Sequence, residues 1–353
     1  MNQGRTLQSL ATEVERRHKT KVDYLVPSRS LRMTKTMEMD VPGHGQYLPN
    51  DIAHGQIGDR LGIPRAYYDK MRQEHPSLLA ENVNTWLNTD DVRMVRTLDG
   101  KMRAMASDRY NPLENYDLMA AALPVFHDVG LEVRSSEVTD SRLYIKGVIP
   151  GLQAEIKKGD IVAWGAGISN SEVAMGALAI YGFSERLICT NGMTHQAQFR
   201  RSHVGRKNII DGEVEQFYSD ETKRADDRAL WLKFRDTLRG VLGRDHFEKT
   251  IEKMQGSTKR EINDPLKTIA VVVKRFGMAD EDRKPLFHFL NESKDFTQYG
   301  LAQAVTRYAE DQKSYDRSSD LESYGGKIID MTDSEWQQVE NEKVKMERQL
   351  ALA

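Results

Sequence analysis

The chain has 353 residues, 29% of them charged, a formal net charge of −2 and a single cysteine, Cys189. That length exceeds one ordinary hydrophobic core and suits two domains. No apolar run reaches the ~18 residues of a bilayer span, no signal-peptide core opens the chain, and one cysteine excludes an internal disulfide and cysteine-rich zinc sites, so a cytoplasmic protein is expected.

Residues 1–50 carry little periodicity and are broken by Pro42, Gly43, Gly45 and Pro49, which reads as a partly ordered arm, basic at its start. Asn50 or Asp51 caps a helix from Ile52, Pro64 opens a second, and Leu78, Leu79, Val83, Trp86 and Leu87 stripe a third. The pair over residues 52–73, turning at Gly62, fits either a plain αα-hairpin or a helix-turn-helix offering Arg65, Tyr67 and Lys70 to a major groove. Asp99-Gly100 predicts a two-residue hairpin that sets Leu98 opposite Lys101, Thr97 opposite Met102 and Arg96 opposite Arg103. A helix closed by Gly130 follows, then strands over LEVRSSEVT and RLYIKGVI, a hairpin turning near Asn170-Ser171, and a short strand over ERLICTNGM. From residue 218 four segments carry helical spacing and caps. The expected class is α+β, with a mostly antiparallel central sheet, an N-terminal helical pair and a helical C-terminal region, divided as 1–50, 51–217 and 218–353.

The charge is unevenly spread. Residues 186–207 hold five Lys/Arg and no acid, whereas residues 310–353 hold eleven acids against six bases. Like charges opposed across a strand pair repel, so Arg96 and Arg103 need carboxylates from within or an anion from outside. Asp108, Glu132 and Glu137 are the internal candidates. The external reading joins Arg96, Lys101, Arg103, Arg109 and Tyr110 of the hairpin to Arg186, Phe199, Arg200, Arg201, His203, Arg206 and Lys207. Arginine forks for phosphate, interleaved with aromatic rings for stacking, are the ingredients of sequence-tolerant single-strand binding. Cys189 with His203, oriented by Asn191, is the alternative of a thiolate–imidazole enzyme site, against a plain core cysteine. The histidine spacings match no metal motif, GAGISNSE is neither a Walker A loop nor GxGxxG, and no metal or cofactor is expected.

Several segments in order, among them GDRLGIPRAYYDKM, RTLDGKMRAMASDRYNPLENYDLMAAALP, SNSEVAMGA, ERLICTNGM and YGLAQAVTRYAED, resemble the phage/plasmid-like family built on a domain of unknown function (type 932). The resemblance runs from about residue 50 to 335. Its pattern highlights Arg96, Arg103, Ser107, Asp108, Arg109 and Tyr110, and also Asn170, Ser171, Arg186, Cys189, Thr190, Asn191, Gly192 and His203. It implies a phage or plasmid accessory protein without naming an activity. The leading expectation is therefore a nucleic-acid-binding protein, single-stranded DNA favoured, acting in recombination, annealing or replication support without nucleotide hydrolysis. It would be a homo-oligomer joined through its C-terminal helices. An interaction protein docking a host factor on its acidic C-terminal region is the third possibility.

Overall fold

The computed structural model describes residues 4–188, 191–203 and 220–342. The class is α+β, with two mostly antiparallel sheets and a helical C-terminal region.

Residues 4–50 are folded, which corrects the expectation of an arm. Helix α1 (Leu7–Thr20) is capped by the Thr6 hydroxyl, which accepts from the Ser9 N–H, and it buries Leu10 and Val14. Four short strands follow, β1 (Val22–Pro27), β2 (Arg32–Met33), β3 (Met39–Val41) and β4 (Gly45–Pro49). With the hairpin strands β5 (Val92–Leu98) and β6 (Lys101–Ser107) they form one sheet, in the order β1-β5-β6-β4-β3-β2. Helices α2 (Asp51–Leu61), α3 (Arg65–Glu74) and α4 (Pro76–Trp86) share its core of Val26, Met39, Ile57, Tyr68, Leu79, Val83 and Met102. Leu78 and Trp86 of the predicted stripe are exposed, so the buried face of α4 is narrower than its sequence suggests. Helices α2 and α3 make an αα-hairpin turned by Gly62 at φ 69°, a left-handed conformation that suits glycine. In it Arg65 pairs with Asp69 at 2.6 Å, which occupies one of the groups a groove-reading helix would need.

The hairpin turn falls where expected, with Asp99 at φ 51° and Gly100 at φ 73°, both positive as a type I′ turn requires. Leu98 faces Lys101 and Thr97 faces Met102, but a bulge then sets Arg96 opposite Ala104. Arg103 is the extra residue, so the predicted pairing of the two arginines is corrected by one position.

Helix α5 (Asn115–Val129) ends at Gly130, φ 64°. The second sheet is a meander of β7 (Glu132–Val138), β8 (Leu143–Lys157), β9 (Asp160–Asn170), β10 (Leu178–Arg186) and β11 (Gly192–Arg201). The segment ERLICTNGM is not a strand of its own, because β10 ends at Arg186 and β11 begins at Gly192. Beyond it come α6 (Asp220–Val241), α7 (Arg244–Ser257), α8 (Pro265–Arg275), α9 (Arg283–Ser293), α10 (Gln298–Glu310), α11 (Tyr315–Asp330) and α12 (Asp333–Asn341). The sequence reading lacked α7, α9 and α11. None is long and apolar enough to cross a membrane.

These helices do not make a core apart from the sheet. Helix α6 joins α1 and α5 over the face that carries Leu143, Ile145, Ala166, Ile168 and Ile180. Helices α7 to α12 pack around Ile156, Val162, Trp164 and Met193. Among the described residues the buried apolar side chains of α7 to α12 pack within the chain. Helix α11 lies on β11 at close range through its glycines. A Cβ at Gly326 would sit 1.9 Å from the Thr194 carbonyl oxygen, a backbone atom that cannot swing away. Gly326→Ala should therefore lower stability by about 1–3 kcal/mol, read as a fall in urea midpoint with unchanged m-value.

Candidate functional site

The hairpin arginines are answered from inside. Arg96 is completely buried. Its Nε and Nη2 donate to the two Asp23 carboxylate oxygens at 2.9 Å, its Nη2 also to Glu114 at 2.6 Å, and its Nη1 to the Glu172 carbonyl at 2.5 Å. Arg103, also buried, donates to the Glu172 carboxylate at 2.8 Å. Lys21 closes the set on Glu114 at 2.6 Å. Three cations thus meet three carboxylates, Asp23, Glu114 and Glu172, and none of these is among the candidates named from sequence. Glu132 pairs instead with Arg134 and Glu137 with Arg5. Burial opposes ionisation of Glu114, yet Arg96 and Lys21 hold its carboxyl down to about 2. Glu172 moves the other way, raised by burial and by the Glu114 charge beside it. Arg96 is therefore a structural group that joins the first sheet to the segment after β9. The buried Arg103 is tied to the same Glu172 through Nη1, its Nε and Nη2 having no hydrogen-bond partner among the described residues.

The other predicted residues divide. Tyr110 is buried, with its hydroxyl donating to the Ser171 carbonyl and its ring stacked on His203 at 5.3 Å and 8°. The Arg96 guanidinium lies 5.4 Å from the same ring, so Tyr110 has no face left for a base. Phe199 packs edge-on against Phe234, and Arg186 is tied to Asp160 at 2.6 Å. His203 is buried and accepts from the Leu113 N–H; burial pushes its imidazole down to about 4, which makes it a weak base at neutral pH. Asn191 is buried and bonds through its carbonyl to the Arg186 N–H. Cys189, Arg206 and Lys207 lie outside the described residues.

Lys101, Arg109, Arg200 and Arg201 are exposed, and among the described residues none of the four makes an ion pair. The hairpin and the end of β11 are also brought together: the Asn111 N–H donates to the His203 carbonyl at 2.6 Å beside the Tyr110–His203 stack. Arg109 and Arg201 flank that junction in sequence.

The sequence reading missed a second feature. A cavity of about 910 Å³ opens between the second sheet and the C-terminal helices. Tyr144, Ser169 and Tyr181 line it from the sheet, and Ser319, Ser323 and Lys327 from α11. Arg142, Arg200 and Arg275 also reach it, as do Asp320, Asp330 and Glu335. Each carboxylate has a cation: Asp330 takes Lys253 at 2.8 Å, Asp320 takes Arg142 at 3.5 Å and Glu335 takes Arg275 at 3.7 Å. Arg200 and Lys327 have no carboxylate partner among the described residues; Lys327 rests its ammonium over the Tyr324 and Phe276 rings, 5.1 and 5.9 Å from their centroids. Behind the α11 wall, Lys146 and Glu322 form a fully buried pair at 2.5 Å, and Lys146 also donates to the Ser319 hydroxyl at 2.8 Å. Among the described residues no three His, Asp or Glu side chains converge on a metal position. Comparison of the chain with protein-family models, with curated proteins and with solved structures gives no match.

Proposed function

We propose that this chain is a nucleic-acid-binding accessory protein of the phage and plasmid type it resembles, with single-stranded DNA as the favoured ligand. The observation supporting this reading is the contact of Tyr110 and Asn111 with His203, with Arg109, Arg200 and Arg201 all within three positions of it along the chain. All three are exposed arginines without a carboxylate partner among the described residues. The interface is smaller than the sequence implied, because Arg96, Arg103 and Arg186 are occupied by carboxylates and Tyr110 and Phe199 by other side chains. Phosphate neutralisation without a stacking platform makes the binding chiefly electrostatic and indifferent to sequence.

Fluorescence anisotropy of a labelled single-stranded oligonucleotide tests this. Affinity should fall as salt rises, with a slope of about −0.7 per phosphate contact on a log–log plot. Replacing Arg109, Arg200 and Arg201 together by alanine should weaken binding and flatten that slope by about two units or more. No binding at low salt, or a slope untouched by the triple substitution, refutes the reading.

A further inference from the structure

We infer that the cavity beneath α11 is a binding site for a nucleoside phosphate, either free or as the terminal residue of a strand. Its size is the first reason. About 910 Å³ lies towards the upper end of the range of small-molecule sites, enough for a base, a sugar and a phosphate together.

Charge is the second reason. The three carboxylates that line the cavity are each offset by a basic side chain, which leaves Arg200 and Lys327 as surplus positive charge facing the same space. These two cations come from different elements, one at the end of β11 and one on α11, and give the cavity lining a positive balance that suits an anionic ligand. The carboxylates and the Ser169, Ser319 and Ser323 hydroxyls add acceptors for donor groups, which a bare phosphate lacks and a nucleoside carries.

Shape is the third reason. The Tyr181 ring passes close to Gly167, where a Cβ would fall 1.9 Å from its Cε2 edge. The glycine backbone thus supports one side of a half-buried ring that also lines the cavity. An aromatic ring in the cavity lining, fixed at one edge by a glycine that leaves it room, is suited to packing against a base. Phe276, already stacked on Tyr324 at 5.6 Å and 6°, supplies a second aromatic edge. This site is distinct from the arginine junction except for Arg200, and it stands or falls without it.

Titration calorimetry on the full chain tests the inference with four probes: a deoxynucleoside 5′-monophosphate, its nucleoside, inorganic phosphate, and a 5′-phosphorylated oligonucleotide. The monophosphate should bind at least about tenfold tighter than either the nucleoside or phosphate alone. Lys327→Ala removes an exposed side chain and should weaken it by about tenfold, the worth of one charge-assisted contact. Ser323→Trp fills the cavity and should abolish it, with an unchanged urea midpoint for Lys327→Ala as the control for folding. If only the phosphorylated oligonucleotide binds, and both substitutions weaken it, the ligand is a strand end. Absence of monophosphate and strand-end binding, or binding indifferent to both Lys327→Ala and Ser323→Trp, overturns the inference. Oligonucleotide binding that depends on Arg109 and Arg201 but not on Lys327 and Ser323 leaves the proposed function standing and removes this site. Monophosphate binding without oligonucleotide binding does the reverse.

Discussion

Arg96→Met should destabilise the protein by about 3–5 kcal/mol, because it removes a fully buried guanidinium from the buried Glu114, which keeps only Lys21, and takes away the two bonds to the partly exposed Asp23. Against a total of about 5–15 kcal/mol for an ordinary domain, that is enough to unfold a large fraction of the molecules. The loss should shrink when Glu114→Gln is added, since the second substitution removes the buried Glu114 charge, and the pair of changes will be non-additive. Urea denaturation of the two single variants and the double variant reads this out. A loss below about 1 kcal/mol, typical of an exposed ion pair, would mean the network is far wetter than its burial implies. Where enough folded Arg96→Met remains to assay, its oligonucleotide affinity per folded molecule should be unchanged. That separates a structural arginine from a phosphate ligand.

Acid should weaken the fold well above the carboxylate range. His54, His195 and His203 are buried, and burial pushes each imidazole down to about 4. In the unfolded chain each returns to about 6.5, so between those values the unfolded state binds more protons than the folded one. The contribution is therefore complete above about pH 6.5 and is lost as the pH falls towards 4, at about 3 kcal/mol for each histidine when fully withdrawn. Glu114 has the depressed pKa of a paired carboxylate, about 2, so its own contribution is present above about 4.5 and is lost only below that. Urea midpoints taken from about pH 7 down to about pH 4 should fall most steeply between about pH 6 and about pH 4.5. His195→Gln should flatten that fall while lowering the starting value, because its Nε2 bond to the Ser184 hydroxyl at 2.8 Å is disturbed. A midpoint independent of pH down to 4.5 would contradict the burial of all three rings.

What the sequence disclosed follows the reach of each interaction. The Asp99-Gly100 turn, the Gly130 stop and the β7–β8 pair are decided by neighbours a few residues away, and they were readable. The bulge at Arg103 was not, because nothing local in the hairpin marks it and the carboxylate that takes Arg103, Glu172, lies 69 residues further on. Strands β1 to β4 were missed for a related reason: β1 pairs with β5, whose residues lie some seventy positions later, and the short pieces between glycines and prolines carry no period of their own. The charge problem at Arg96 was visible, but its solution was sought in nearby acids and supplied by Asp23, Glu114 and Glu172. The cavity was invisible for the opposite reason. Tyr181, Lys327 and Arg200 are unexceptional alone, and only the approach of α11 to the sheet puts them around one space.

The Arg96 network also bears on how long a folded molecule lasts. It draws together residues near 21–23, 96–103, 110–115 and 170–172, with Asp23 and Arg96 separated by 73 positions. Asp23 and Arg96 meet as soon as β1 pairs with β5. Glu172, which follows β9, reaches the two arginines only once the second sheet is in place, across a loop whose closure carries an entropic cost that nearby contacts do not. Interactions completed after the rate-limiting step leave the folding rate nearly untouched and act as a brake on unfolding. Replacing Arg103, whose partner is Glu172, should therefore speed unfolding more than it slows folding, read from the two arms of a urea chevron.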